Sequence, residues 1–304
     1  MSTAIEVAGL TMSYARREVL KGVDFEVRAG EVFCLLGPNG AGKTTTVEIL
    51  EGFRQRTGGT VNVLGMDPQA QPARLRERIG IVLQECGFPR QARVAELIDS
   101  WRTYYPNPRG LEDLLGVVEL TQDRNVQVRR LSGGQRRRLD LALALAGDPD
   151  LIFLDEPTTG FDPESRRRCW AAVENLRTLG KTILLTTHYL DEAERLADRV
   201  AILQRGRIQV AGSVRQVARQ AGVKTRIKFT APQPVLDGTL PPPAALQVVL
   251  RGDLAVCQTE NSATALRDLL GWAAANNLGD LADLSVETPT LEDAYLHLVS
   301  GGTN

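Results

Sequence analysis

The chain has 304 residues and a formal net charge of −1, with 43% hydrophobic and 24% charged residues. This is enough for one full domain plus a smaller one in an ordinary globular composition, and the near-neutral balance excludes a general binder of nucleic acid or anionic membrane. The four cysteines (Cys34, Cys86, Cys169, Cys257) are scattered without a CxxC pair, so they read as reduced core thiols, not disulfides or metal ligands.

The opening MSTAIEVAGL lacks the basic start and apolar run of a signal peptide. No apolar run approaches the ~18 residues of a membrane span. A role at a membrane would therefore run through a partner.

In chain order, strands are expected at IEVAGLTMSY, VLKGVDFEV and EVFCLLG, then a helix from Gly42 to about Glu51. TVNVLG and IGIVLQ read as further strands. Residues 92–118 read as mostly helical, broken at YPNPRG. A helix after LSGG, the strand LIFLDE, a helix from about Pro163, the strand TILLTTH, the helix YLDEAERLA and the hairpin RVAILQRGRIQVAG follow. Strands alternating with helices predict an α/β fold with a mainly parallel sheet covered on both faces. Composition shifts near Ala218. A Pro-rich loop, APQPVLDGTLPPPAAL, is expected between two strands, KTRIKFT and LQVVLRGDLAVCQT. The helix SATALRDLLGWAAANN, the strand LADLSVET and the helix TLEDAYLHLV complete a small α+β unit. In the last helix Thr290 fits the N-cap, with Glu292 and Asp293 at the positive end; His297 reads as a surface residue. The expected domains are 1–218 and 219–304, with a helical subdomain at about 91–146.

The chemistry begins at GPNGAGKTT, residues 37–45, which fits GxxxxGK[ST] between an apolar strand and a helix. Gly37, Pro38, Asn39, Gly40, Ala41 and Gly42 make a turn whose amides face phosphate oxygens. Lys43 would reach the β and γ phosphates, Thr44 would coordinate magnesium, and Thr45 continues the helix start. LIFLDEP ends a buried strand in two acids. Asp155 would hold magnesium, and Glu156 suits a base acting on the attacking water. His188 ends the next apolar strand, facing the γ-phosphate. Its spacing to Asp191 is faintly metal-like but has no third ligand. Gln84 ends IGIVLQ, within reach of magnesium or water. Tyr14 offers a flat ring for adenine. The two RRR runs, 136–138 and 166–168, read as solvated helix faces; no aromatics interleave with them to suggest nucleic acid. Trp101, Tyr104 and Tyr105 read as core packing, with a partner surface as the alternative.

LSGGQ, residues 131–135, raises a question. It opens a helix with small residues and bare amides, a second anion-binding feature in one chain. With GPNGAGKTT before it and LIFLDEP after it, the sequence resembles the ATP-binding-cassette (ABC) ATPases over about residues 3–218. The resemblance implies ATP hydrolysis with Mg2+, Tyr14 at adenine, Gln84 as the Q-loop residue, Glu156 as base and His188 as switch histidine. It also implies a head-to-tail dimer in which Ser132, Gly133, Gly134 and Gln135 of one copy close on the nucleotide of the other, with Asp162 near the seam. The family often has Ser-x-Leu-Asp where this chain has Thr159-Gly160-Phe161-Asp162, which leaves the contacts at that seam open. The run LSGGQRRRLDLALALAGDPDLIFLDEPTTGFDP and the ending TPTLEDAYLHLVSGG are similar to subunits of daunorubicin-resistance-type drug exporters. The implied protein sits on the cytoplasmic face of a membrane, bound to a separate permease that exports a drug, antibiotic or lipid-like compound. An importer ATPase, or a soluble member acting on ribosomes or DNA, is the alternative.

Overall fold

A computed structural model describes residues 2–15, 17–82, 87 and 89–300, without the side chains of 299 and 300. It divides into two compact units, residues 1–214 and 215–304.

The first unit opens with β1 (Thr3–Tyr14) and β2 (Arg17–Arg28), an antiparallel pair. Their inward residues Ile5, Leu10, Leu20, Val23 and Val27 are fully buried, and the alternation changes phase where the ladder is irregular, between Val7 and Leu10. β3 (Val32–Leu36) is buried at every position, and α1 (Lys43–Leu50) follows directly from its loop. β4 (Gly58–Val63) returns to pair with β1, closing a three-stranded sheet of order β2-β1-β4.

After α2 (Pro72–Arg76) comes β5 (Ile79–Val82). The helical stretch holds α3 (Val94–Arg102) and α4 (Leu111–Val117), separated by the Pro-containing segment as expected. α5 (Gly133–Ala144), β6 (Leu151–Asp155), α6 (Pro163–Thr178), β7 (Thr182–Thr187) and α7 (Leu190–Leu196) alternate in βα order. β8 (Arg199–Gln204) and β9 (Arg207–Gly212) form the closing hairpin. The six-stranded sheet runs β5-β6-β7-β3-β8-β9, parallel except for β9. β6, β7 and β3 are consecutive neighbours, so the residues that leave their carboxyl ends share one edge. That edge is where an open α/β sheet binds ligands.

The second unit contains α8 (Val214–Gln220) from its second residue onward, then β10 (Thr225–Thr230) and the short α9 (Gln233–Leu236). The run expected as one strand is instead a hairpin, β11 (Val249–Arg251) and β12 (Leu254–Thr259). The chain reverses at Gly252, whose φ of 63° only glycine adopts freely. α10 (Ser262–Ala275), β13 (Ser285–Glu287) and α11 (Leu291–Ser300) complete it. The sheet order is β11-β12-β10-β13. Phe229, Ile227, Ala255 and Cys257 form its core with Ala265, Leu269 and Ala273 of α10. Thr290 caps α11 as expected, its hydroxyl accepting from Asp293 N–H while the Asp293 carboxylate accepts from Thr290 N–H.

Two expectations need correction. Trp101 and Tyr104 are exposed and pack edge to face on each other instead of in the core, while Tyr105 is half-buried. The first RRR run is not a solvated face: Arg136 is exposed, but Arg137 and Arg138 are buried. Buried guanidinium groups need acceptors. Arg137 donates to the carbonyls of Asp155 and Pro157, and Arg138 to those of Val118 and Glu119. In the second run Arg167 and Arg168 are exposed, but Arg166 is half-buried, paired with Asp191 and stacked on the Tyr189 ring.

Candidate active site

The loop of residues 37–42 is built around missing Cβ atoms. A Cβ on Gly37 would lie 2.3 Å from the Leu203 carbonyl oxygen, and one on Gly42 (φ 111°) would lie 2.6 Å from a Leu20 methyl. The β8–β9 turn fastens this loop to the antiparallel sheet. Gly206 N–H donates to the Ala41 carbonyl (3.2 Å), and Gly206 O accepts from Lys21 N–H (2.8 Å).

Tyr14, Arg17, Val19, Asn39, Gly40, Gly42, Lys43, Thr44, Thr45 and Glu156 line a cavity of about 430 Å³. Lys43 is buried, and its Nζ donates to the Gly37 carbonyl at 2.9 Å while lying 3.2 Å from the Glu156 carboxylate. Pro38, whose carbonyl lies 3.4 Å from that amine, and Ala41 complete the loop. The second carboxylate oxygen of Glu156 lies 3.3 Å from His188 Nδ1. β6 and β7 bring about this meeting, with His188 leaving the strand between those of Asp155 and Lys43. Glu156 turns sharply out of β6 with φ 44°, a conformation that costs a non-glycine residue about 1 kcal/mol or more. Its N–H donates to Thr186, through both carbonyl and hydroxyl, which holds the turn. Burial pushes the Glu156 carboxyl up, but the hydrogen bond and charge of Lys43, joined by His188, outweigh burial and hold it below the ordinary value. The group is therefore a carboxylate at neutral pH.

Asp155 accepts from the Thr186 hydroxyl (2.5 Å) and faces the Thr44 hydroxyl at 3.5 Å. One hydroxyl and one carboxylate fit a divalent cation that takes its other ligands from phosphate and water. Among the described residues no cluster of three or more His, Cys, Asp or Glu could hold a metal. Gln84 lies outside the described residues.

Ser132 caps α5. Its hydroxyl accepts from Gln135 N–H (3.2 Å), and the Gln135 side chain accepts from Ser132 N–H (2.9 Å). Gly133 is exposed, and a Cβ on Gly134 would lie 3.0 Å from the Ser165 hydroxyl. None of these residues lines the cavity around Lys43. Asp162 caps α6, accepting from Glu164 N–H, Ser165 N–H and the Ser165 hydroxyl, and those bonds hold its carboxyl below the usual range. Tyr14 stands at the cavity with the Arg54 guanidinium over its ring.

Sequence reading missed Arg17, Arg137 and Thr186. Arg17 carries only its nearness to Tyr14 as a signal. Thr186 could have been found as the strand residue paired with Asp155.

Comparison with known proteins gives the same assignment. A family model described as "ABC transporter" matches residues 20–159, and one for the C-terminal domain of ABC transporter domain-containing-like proteins matches residues 225–290. The chain is 35% identical over 300 residues to the Nod factor export ATP-binding protein I of Ralstonia nicotianae, covering 97% of this chain and 93% of that one. The chain belongs to the ABC transporter ATPase family. The Rhizobium johnstonii protein of the same name is 37% identical over 97% of this chain and 94% of its own. A solved ATP-binding subunit of an ABC transporter superposes with a TM-score of 0.65 at 28% identity, covering 72% of this chain and 93% of that one. An ABC cassette solved in its ADP conformation gives 0.63 at 25% identity, covering 70% and 92%. This ABC ATPase binds ATP and hydrolyses it to ADP and phosphate as the ATP-binding subunit of an exporter-type transporter.

Proposed function

We propose that the chain is one half of an ATP-driven clamp on the cytoplasmic face of a membrane, and that a second copy of itself and a separate permease complete the machine. Among the described residues no helix is long and apolar enough to cross a membrane. This reading assigns the path across the membrane, and the cargo site, to the permease. The cargo is a drug, antibiotic or lipid-like compound. Relatives named for Nod factor export, matching nearly end to end, support outward transport.

The observation that carries the chemistry is Glu156, set between Lys43 and His188 at the cavity of the phosphate loop. Water attacks the γ-phosphorus in line as the bond to ADP breaks, a reaction governed by positioning and charge neutralisation. Lys43 and the loop amides neutralise the phosphate oxygens. On binding, the phosphates take over Lys43, and Glu156 turns to the water and accepts its proton. His188 faces the γ-phosphate. Thr44 and Asp155, with Gln84, would hold magnesium, which supplies further positive charge. Tyr14 stacks on adenine. Ser132, Gly133, Gly134, Gln135 and Asp162 of the second copy close the site, which accounts for their absence from the cavity of their own chain.

The test is Glu156→Gln with Mg-ATP, read by light scattering and by capture from detergent-solubilised native membranes. A stable dimer that brings down one polytopic membrane protein in fixed proportion is expected. A variant that stays monomeric at high concentration with ATP and its permease would sink the shared-site reading. Recovery of ribosomal or DNA-bound proteins alone would sink the transporter reading.

A further inference from the structure

Glu192 lies on α7, four residues after His188, and is wholly buried. One oxygen, Oε1, accepts from the Thr158 hydroxyl at 2.8 Å and from the Trp170 indole N–H at 3.0 Å. The Thr187 hydroxyl is a third polar neighbour. Oε2 is buried without a hydrogen-bond partner among the described residues. No Lys, Arg or His of the described residues forms an ion pair with it within 4.0 Å. Burial is the main influence and pushes its carboxyl up, past the lowering effect of these hydrogen bonds. An uncompensated buried charge is costly, and the same burial strengthens the carboxyl's hold on its proton.

The two donors and the Thr187 neighbour come from three segments. Thr158 follows Glu156 by two residues. Thr187 immediately precedes His188, and its hydroxyl also accepts from Tyr189 N–H. Trp170 belongs to α6, the helix that Asp162 caps. A leucine would fill such a space but would leave the Thr158 hydroxyl and the Trp170 indole N–H without their acceptor, so the carboxyl is there for its bonds.

We propose that Glu192 is a positioning residue for hydrolysis, tying the loop after Glu156, through Thr158, to α7, the helix that follows His188, and so setting the distance between base and switch histidine. The proposal rests on the roles assigned above to Glu156 and His188. A misplacement of about 1 Å in such a pair is enough to cost about a hundredfold in rate.

The experiment compares kcat, ATP KM and melting temperature for Glu192→Ala, Glu192→Gln, Thr158→Val and Glu156→Gln in the full chain with its permease. Glu192→Ala should lower kcat about tenfold or more while ATP KM stays within about threefold. Glu192→Gln should recover kcat to within about threefold of the parent, because its carbonyl accepts both bonds and its amide fills the same space. Thr158→Val, close in shape, should lose several-fold in kcat while its melting temperature falls by only the few degrees that one lost buried hydrogen bond removes. Normal kcat in Glu192→Ala, a Gln variant as poor as the Ala variant, or a loss carried by KM would each overturn the proposal. If Glu192→Ala does not fold, Thr158→Val decides: unchanged kcat overturns the proposal. Glu156→Gln separates the two readings, since its normal turnover would remove the assigned base, whereas its inactivity beside an active Glu192→Ala would remove only the positioning role.

Discussion

Glu51 gives a sharp test of the electrostatics behind the phosphate loop. It caps the carboxyl end of α1, is buried, and lies near Asp155 and Glu48. Burial first, then the charges of Asp155 and Glu48, raise its carboxyl from 4.5 to about 8. The folded chain therefore holds a proton that the unfolded chain releases between those values. By linkage, stability is full below the unfolded value and falls as pH rises towards the folded one. The slope is about 1.4 kcal/mol per pH unit, or about 4 kcal/mol between pH 5 and 8. Glu51→Gln mimics the protonated acid and removes that slope. The variant should melt close to the parent at pH 5 and roughly 8–16 °C above it at pH 8, for a unit of this size. Calorimetry at the two pH values reads the difference directly. An equal offset at both pH values would refute the reasoning, because Glu51 would then be ionised in the folded state as in the unfolded one.

Lys43→Ala should abolish ATP turnover; near-normal hydrolysis in a phosphate-release assay would remove the phosphate-loop assignment. Ser132→Ala should lose about 1 kcal/mol from the α5 cap and, beyond that, ATP-dependent pairing, so a variant with lowered melting but normal pairing would limit Ser132 to capping. Arg137→Met removes bonds to the carbonyls of Asp155 and Pro157 and should cost about 2–3 kcal/mol in urea unfolding; a cost under about 0.5 kcal/mol would show these bonds to be dispensable. Burial pushes the Cys169 thiol up to about 12 and raises Cys34 strongly. Neither should react with iodoacetamide at pH 8 in the folded chain, and rapid labelling of either by mass spectrometry would contradict that burial.

Much of the site was legible because its residues sit at strand ends. An apolar run that stops at Asp155, and another that stops before His188, announce both the strand and the edge it reaches. The loop of residues 37–45 is legible for a different reason, since its glycines answer a local backbone need. Arg137 shows the limit. Local sequence gave a run of three charges, and only the approach of α5 to the end of β6 turns one of them into a buried donor. The β11–β12 hairpin was hidden because Gly252 lies within an otherwise strand-like run. The seam that Ser132 and Asp162 would form requires a second chain, so a single sequence carries it through family resemblance alone.

The fastening of the phosphate loop to the antiparallel sheet through Gly206 has a consequence for how the site can change. The platform that carries Tyr14 and the cradle that carries Lys43 are joined backbone to backbone through Gly206. The span between ring and lysine is therefore held in part by peptide geometry, which a change of side chain does not remove. On the proposed stacking of Tyr14 against the base, exchanging Tyr14 would alter which base is preferred while the grip on the polyphosphate stays the same. Base preference and phosphate grip can drift independently, so a lineage could retune the first without rebuilding the second.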